Sequence, residues 1–256
     1  MKQLSKTELA IMNGKTLFTN RIKKANRDTM AKSELLIKKS TNVKLGKKVT
    51  KGKWKGFPIF TLTLEERATC PKSCQHWATC YGNNMMYAYR YEAGVDLENM
   101  LELELANLQA KHPKGFLVRL HILGDFYSVG YVAKWAKWLS MYPALHVYGY
   151  TANQPNATDP LEKAIGQALL SLSENCSSRW ALRFSGNFER NTMTALSVDD
   201  KRTKVMLKHK QAFQCPTQIS KETGKLAQKG QETLVPDCGA CGLCWQASKP
   251  VTFITH

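Results

Sequence analysis

The sequence contains no long apolar run. No stretch approaches the roughly 20 consecutive apolar residues that a helix needs to cross a bilayer. The first 30 residues also lack the apolar core of a secretory signal peptide. We therefore predict a cytoplasmic protein with no membrane partner.

Acidic residues are scarce. The chain has 20 Asp and Glu against 37 Lys and Arg, a formal net charge of +17 over 256 residues. The imbalance is concentrated in residues 1–56, where 16 Lys and Arg stand against 3 Asp and Glu. Lysines at this density around Trp54 could follow a phosphate backbone and stack on a base, which makes nucleic acid a candidate partner of this basic arm. The alternative is a solvated segment that keeps the protein soluble.

Predicted strands and helices alternate in the rest of the chain. The predicted strands cover residues 57–64, 116–123, 145–151, 179–185, 203–207 and 251–254, and the predicted helices cover 83–111, 129–141 and 160–172. This alternation implies a parallel sheet joined by right-handed crossovers. A closed eight-stranded barrel takes about 250 residues by itself. The prediction is therefore an α/β fold, a partial (β/α)6 barrel of mostly parallel strands.

The predicted organisation has three parts. Residues 1–56 form the basic N-terminal arm, residues 57–210 the partial barrel with a first cysteine loop, and residues 211–256 a C-terminal cysteine-rich segment with the last strand. A chain of this length can bury one substantial core.

Three cysteines lie within eleven residues, directly after the first predicted strand: Cys70, Cys74 and Cys80. In a reducing cytoplasm, cysteines so spaced are more often metal ligands or redox groups than disulfides. Three converging thiolates can hold three corners of an iron–sulfur cube, which normally takes four, so the fourth iron would be open to an outside ligand. A zinc site completed by His76 is the alternative.

A second set of four cysteines lies in the C-terminal segment: Cys215, Cys238, Cys241 and Cys244. Four thiolates complete a closed cluster, which would relay electrons, fasten the loop or orient a substrate. Zinc bound by the same four thiolates is the alternative. The eighth cysteine, Cys176, has no partner at a ligand spacing and is predicted to be a small apolar residue.

Polar residues follow three later predicted strands at the point where each ends. They are Asp125, which follows Gly124, and Thr151, Asn153, Ser185 and Asn187. Reactive groups of parallel α/β folds gather at the carboxyl ends of the strands. These residues and the first cysteine set are therefore expected to lie together at one end of the predicted barrel.

Polar side chains also alternate along the strands. Those predicted to share one face are Arg119, His121, His146, Tyr148, Tyr150, Arg183 and Ser185. Such a face suggests a lumen that binds an anionic or hydrogen-bonding ligand. The alternative is a structural role, with Arg119 paired to a core carboxylate and the histidines satisfied within the core.

The Cys-x3-Cys-x5-Cys loop resembles that of radical S-adenosylmethionine enzymes, whose usual spacing is three and then two residues. The resemblance implies that Cys70, Cys74 and Cys80 hold a four-iron four-sulfur cluster whose open iron is chelated by S-adenosylmethionine. An external electron donor would reduce the cluster, which would then cleave the cofactor to a 5′-deoxyadenosyl radical. The second cysteine set would hold an auxiliary four-iron cluster.

The same resemblance implies roles for the polar residues. Gly124 and Asp125 match the turn that contacts the cofactor's amino group, and Asn153, Ser185 and Asn187 are candidates for its ribose or carboxylate. Arg119, His121 and Tyr150 would face the substrate, and any of them could donate a proton. RNA and a phosphorylated metabolite are the candidate substrates.

A closer resemblance is to the phage "gene product eighty-eight" family. It is carried by Thr69-Cys70-Pro71, Cys80-Tyr81, residues 121–128, residues 148–151, Cys215-Pro216 and residues 241–245. It implies a phage or mobile-element origin and no particular substrate. The competing prediction is a phage protein without catalysis, stabilised by zinc or a cluster, that binds nucleic acid.

Overall fold

The computed structural model describes residues 4–25, 37–40, 42, 44–186, 193–197, 201–218 and 236–253. The strands in these ranges are β1 (Ile22–Lys23), β2 (Lys38–Lys39), β3 (Ile59–Thr61), β4 (Arg90–Tyr91), β5 (Phe116–Leu120), β6 (Leu145–Thr151), β7 (Trp180–Ser185), β8 (Thr194–Ser197), β9 (Phe213–Gln214) and β10 (Val251–Phe253). The α-helices are α1 (Lys6–Met12), α2 (Val95–Lys111), α3 (Val129–Met141), α4 (Pro160–Asn175), α5 (Lys201–Lys208), α6 (Cys238–Cys241) and α7 (Leu243–Gln246).

One mostly parallel sheet organises the fold. Its strand order is β2-β3-β5-β6-β7-β8-β10-β9, and β2 alone runs antiparallel to its neighbour among these strands. Helices α3 and α4 connect the parallel central strands β5, β6 and β7. The predicted mixed α/β fold with a parallel sheet is therefore confirmed, while its curvature into a partial barrel stays a prediction. No helix within the described ranges is long and apolar enough to cross a membrane.

Several element boundaries differ from the prediction. Strand β6 and helix α3 have the predicted bounds, but α2 begins only at Val95, after a 3₁₀ turn at Tyr81–Asn84 and the short strand β4. The predicted strand at 203–207 is wrong, because these residues lie in α5. Their apolar run is too short to distinguish a period of two residues from one of 3.6.

Alternate residues of the central strands pack into two apolar clusters on opposite faces of the sheet. The larger cluster includes Phe116, Val118 and Leu120 together with the apolar faces of α2, α3 and α4. The smaller includes Leu117 and residues from outside the central strands. The sheet is therefore covered on both faces, as parallel sheets usually are.

Part of the predicted basic arm covers the face of the sheet that carries the smaller apolar cluster. Val49 and Trp54 are buried in the smaller cluster, and Trp54 stacks on Trp245 with the ring centroids 5.9 Å apart. The Trp54 indole N–H donates to the Ser178 carbonyl oxygen at 3.2 Å. Because Trp54 is only 8% exposed, it is not available to stack on a nucleic-acid base.

A substitution at Gly149 tests whether the central strands pack as closely as the structure shows. Gly149 pairs with Leu120 of β5 and Leu182 of β7, and a Cβ atom added there would overlap the Leu120 carbonyl oxygen. We expect Gly149→Ala to lower the free energy of unfolding by about 1–3 kcal/mol, the usual cost of overpacking. In Gly130→Ala, on α3, the nearest atom to the added Cβ is 3.8 Å away. That control should be neutral or stabilising by up to about 1 kcal/mol in the same urea titration, and equal losses in the two variants would contradict the assignment.

Candidate functional site

The loop that carries the first cysteine set contacts the turn after β5. The Thr69 hydroxyl, directly before Cys70, donates to the Glu65 carbonyl oxygen at 2.8 Å and accepts from the Asp125 backbone N–H at 3.1 Å. Gly124 has a φ of +82°, and a Cβ atom there would lie 2.6 Å from Thr69 Oγ1 and from Leu64 Cβ. Glycine is therefore needed at this position for both the backbone conformation and the contact.

Asp125 joins this turn to the end of the next strand. Its Oδ1 accepts from the Phe126 N–H at 2.7 Å and from the Thr151 hydroxyl at 2.8 Å, and its Oδ2 accepts from the Ala152 N–H at 2.7 Å. Burial raises the pKa of Asp125 to about 6, although these hydrogen bonds favour its ionised form. The carboxylate is thus ionised at neutral pH and fixes the loops after β5 and β6 against each other.

The neighbouring candidates make similar backbone contacts. Asn153, 1% exposed, donates from Nδ2 to the Phe126 carbonyl oxygen at 3.0 Å. The Ser185 hydroxyl donates to the Thr151 carbonyl oxygen at 2.9 Å. These two residues therefore lie at the same sheet edge as Asp125, whereas Asn187 lies outside the described residues.

A second anchor of the cysteine loop is a buried glutamate on α4. The Ser73 hydroxyl lies 2.7 Å from both carboxylate oxygens of Glu162 and donates to this carboxylate. Glu162 is in the first turn of α4, where a negative charge is favoured by the helix dipole. The segment between Cys70 and Cys74 is therefore tied to the helix that follows β6.

The end of the loop is held by a buried ion pair. Arg90 Nε lies 2.6 Å from Glu66 Oε2, and both side chains are at most 1% exposed. Arg90 also donates to the carbonyl oxygens of Gly82, Met85 and Ala88. No spacing pattern in the sequence pointed to Arg90, Glu66 or Glu162, although a paired Glu65-Glu66 directly before the cysteine loop was a visible signal.

The second cysteine set lies against the polar face of the sheet. The Tyr150 hydroxyl donates to the Cys244 sulfur at 2.7 Å, and helix α7 packs on β6 and β7. Arg183 donates to the carbonyl oxygens of Cys244 at 2.9 Å and Leu243 at 3.2 Å. The face predicted to line a lumen is therefore covered by the C-terminal segment.

Arg119 belongs to the surroundings of this second set. Its guanidinium carbon lies 4.5 Å from the centroid of the Tyr150 ring and 5.4 Å from that of Tyr148. Its charge lowers the pKa of Cys238, although burial and the neighbouring cysteines raise that pKa more strongly. Arg119 and Tyr150 are thus brought together, beside the C-terminal cysteines.

His121 packs on the face of the sheet opposite to that of Arg119. Its ring packs on Phe126 and Tyr131, both members of the larger cluster, and Nε2 lies 3.2 Å from the Tyr131 hydroxyl. The prediction that Arg119 and His121 share a face is wrong, because β5 ends at Leu120 and its alternation does not continue to His121. Burial lowers the pKa of His121 to about 3, so the ring is neutral.

Burial raises the pKa of the three thiols of the first set and, in the second set, the pKa of Cys238, Cys241 and Cys244. The pKa of Cys74 rises to about 11, and the pKa of Cys70 is raised by burial, then by Asp125, Cys74 and Cys80. In the second set the pKa of Cys244 rises to about 11, and Cys215 and Cys241 contribute after burial. The thiols of each set therefore influence one another electrostatically.

The electrostatic effect of the thiols on one another does not mean that their sulfur atoms are close enough to bind one metal ion. Within the part of the chain that the structure describes, no three His, Cys, Asp or Glu side chains are arranged to hold a metal ion. A thiolate–metal bond requires about 2.3 Å, whereas Coulombic effects extend over several ångströms. The donor set suits an iron–sulfur cluster or zinc chemically, but side-chain movement would be needed to bind either.

These features define an α/β protein with one cysteine-bearing loop at the carboxyl edge of a mostly parallel sheet and a second on its face. The chain belongs to the Gene product 88 family, whose family model matches residues 34–247. It is similar to the Gene 88 protein of Mycobacterium phage D29, with 28% identity over 145 residues. That alignment covers 57% of this chain and 56% of the phage protein, so the chain spans little more than half of that relative. No solved structure matches the chain.

The buried ion pair predicts a large effect of one glutamate. Glu66→Ala leaves the Arg90 charge buried without its partner, which should cost about 3–5 kcal/mol of unfolding free energy. Glu92→Ala is the matched control, because Glu92 lies 4.0 Å from Lys24 with both side chains exposed. It should cost at most about 1 kcal/mol. Urea titration measures both, and similar small losses would mean that the Arg90 pair does not hold the loop.

The neutral His121 predicts a dependence of stability on pH. As pH falls from 6.5 toward 3, the unfolded chain takes up a proton on this histidine and the folded chain does not, so stability falls. With a folded pKa of about 3, this contribution changes by about 3 kcal/mol between pH 7 and pH 4.

His121→Gln, which cannot titrate, should lose that part of the pH dependence. The measurement is the difference in unfolding free energy between the unaltered protein and the variant at the two pH values. Other groups, Asp125 among them, titrate in both proteins and largely cancel. A difference that stays constant from pH 7 to pH 4 would contradict the low pKa.

Proposed function

We propose that this chain is an iron–sulfur enzyme of the radical S-adenosylmethionine type. The observation that carries the proposal is the hydrogen bond from the Asp125 N–H to Thr69, which links the turn after β5 to the residue before Cys70. The loop that carries the three thiols thus contacts the turn that carries Asp125, at the carboxyl edge of a parallel sheet, where α/β enzymes carry their reactive groups. Membership of the Gene product 88 family is compatible with this proposal and names no reaction.

Cys70, Cys74 and Cys80 are the proposed ligands of the catalytic cluster. When bound and reduced by an external donor, the cluster would supply the electron that cleaves S-adenosylmethionine to a 5′-deoxyadenosyl radical. The raised pKa values mean that these thiols are protonated before ligation, so cluster binding would release protons. The Thr69 and Ser73 contacts restrict the loop and would lower the entropy cost of bringing the sulfurs together.

Asp125 is the proposed acceptor for the methionyl amine. An ionised carboxylate offers about four acceptor positions, and three donors already use Asp125. A positively charged amine would take the remaining position and favour the ionised form. Asn153, Ser185 and Asn187 remain the proposed contacts for the ribose or carboxylate, although Asn153 and Ser185 would do so while fixed to the backbone.

The C-terminal cysteines are the proposed ligands of an auxiliary cluster. Arg119 and the Tyr150 hydroxyl would then favour the thiolate form by charge and by hydrogen bonding, as outer groups do around metal centres. We therefore favour a role for Arg119 and Tyr150 as neighbours of the second cluster over a direct contact with the substrate. The proposed substrate is RNA or a phosphorylated metabolite. The proposed location of the enzyme is the cytoplasm, and its proposed fold is a partial barrel.

A structural role without catalysis is the second candidate. The backbone N–H groups of Cys238 and Gly239 donate to the carbonyl oxygens of Lys44 at 2.8 Å and Leu45 at 3.1 Å. Zinc or a cluster bound by the C-terminal cysteines would therefore fasten the N-terminal segment to the sheet. Such a protein would bind nucleic acid and leave S-adenosylmethionine intact.

Anaerobic reconstitution distinguishes the two functions. The unaltered protein should bind about eight irons in two four-iron clusters, and Cys70→Ala about four. Cys176→Ala is the matched control, since Cys176 follows α4 outside both sets and packs against the larger cluster. With dithionite, the unaltered protein and this control should release 5′-deoxyadenosine, and Cys70→Ala should release none. A fully loaded protein that leaves S-adenosylmethionine intact would refute the radical assignment, and a colourless zinc protein would favour the second candidate.

A further inference from the structure

An exposed aromatic–basic patch lies between the N-terminal segment and the loop that follows Cys80. We define it by five residues: Arg21, Lys23, Lys38, Tyr87 and Tyr89. Lys23 Nζ is 3.9 Å from the centroid of the Tyr89 ring, and Lys38 Nζ is 5.7 Å from it. The guanidinium carbon of Arg21 is 5.5 Å from the Tyr89 centroid and 6.0 Å from that of Tyr87. Residues far apart in sequence thus form one surface.

The aromatic rings of the patch are accessible. Tyr87 is 79% exposed and Tyr89 39% exposed. Trp54, the aromatic residue that the sequence suggested for base stacking, is 8% exposed and covered by Trp245. Tyr87 and Tyr89 therefore form a surface that can offer an aromatic face to a ligand, which Trp54 cannot do.

The charge of the patch is unusually concentrated. Three cations lie within 6 Å of the centroid of one ring, the Tyr89 ring. The electron-rich face of an aromatic ring attracts each cation. A polyanion would be attracted to the positive charge of this patch and to the formal net charge of +17 of the whole chain.

We propose that the aromatic–basic patch binds single-stranded nucleic acid. Arg21 and Lys38 contact phosphates, and an unpaired base stacks on Tyr87. Stacking on an exposed ring requires a base whose face is available, which a single strand offers and a duplex does not. This binding goes beyond the proposed catalytic function, because it needs neither cluster nor cofactor.

The patch is also joined to the first cysteine loop. Tyr87 and Tyr89 lie in the segment between Cys80 and Arg90, and the carbonyl oxygens of Gly82, Met85 and Ala88 in that segment accept hydrogen bonds from Arg90. A nucleic-acid strand bound at the patch would therefore contact the segment that directly follows the first cysteine set. The patch links nucleic-acid binding to the cysteine loop through covalent continuity and the buried Arg90–Glu66 pair.

Fluorescence anisotropy with labelled RNA and DNA single strands of about 12 nucleotides tests the proposal on the full chain. Tyr87→Ala should weaken binding about 5- to 100-fold because the stacking platform is removed, and Tyr87→Phe should retain it. Phe213→Ala is the matched aromatic control, since the exposed Phe213 ring has one cation, Lys249 Nζ, 5.6 Å from its centroid. That variant should bind as the unaltered protein does. The RNA and DNA arms decide which chemical form binds more tightly.

The charge contribution is tested separately. The double variant Arg21→Gln/Lys38→Gln should weaken binding and reduce the salt dependence, by about 0.7 in the log–log slope for each phosphate that the protein no longer neutralises. Lys111→Gln/Lys114→Gln removes the same charge from the end of α2 and the turn after it, so it should change binding much less. Thermal unfolding followed by circular dichroism verifies that each variant is folded.

Three results would overturn the proposal. One is binding by folded Tyr87→Ala within twofold of the unaltered protein, and another is an equal loss of affinity in Phe213→Ala. The third is displacement of the oligonucleotide by poly-glutamate of matched charge as effectively as by an unlabelled strand, which would show a general polyanion surface without base stacking. Cluster loading and S-adenosylmethionine cleavage are not read out here, so failure of this proposal is distinct from failure of the catalytic one.

Discussion

The buried Asp125 carboxylate is the constraint on which the candidate site depends. A buried charge is costly unless it is hydrogen-bonded, and here the donors are the backbone N–H groups of Phe126 and Ala152 and the Thr151 hydroxyl. Its own N–H donates to Thr69, so one residue connects the loops that follow three neighbouring parallel strands, β3, β5 and β6. The first cysteine loop takes its position from this arrangement, which makes Asp125 a structural centre whatever it binds in addition.

The two cysteine sets lie in different environments. The first is carried by a loop at the sheet edge and held by hydrogen bonds to Asp125 and Glu162. The second is carried by short helices that pack on the sheet, with Tyr150 bonded to Cys244. In the proposed function, the set at the edge would meet an outside molecule, and the set packed on the sheet would transfer electrons or fasten the chain. This difference supports a division between a reactive and an auxiliary group.

The basic N-terminal segment also serves two purposes. Its later part, around Val49 and Trp54, packs in the smaller apolar cluster on the face of the sheet that carries Leu117. An earlier part contributes Arg21, Lys23 and Lys38 to the aromatic–basic patch. A uniform lysine-rich composition therefore concealed two environments, one packed against the core and one exposed. Composition predicts the sign of the partner's charge, but only packing decides which residues can contact it.

Features that depend on neighbouring residues followed from the amino-acid order alone. Apolar periodicity predicted β6 and α3 with their bounds, and spacing divided the cysteines into their two sets. Packing between distant segments set the rest: the Arg90–Glu66 pair, the burial of Trp54 and the side of the sheet on which His121 packs. Local periodicity records the face that an element buries, but a contact between distant segments depends on how whole elements pack. Such contacts leave no regular spacing in the chain, so they could be read only from the folded molecule.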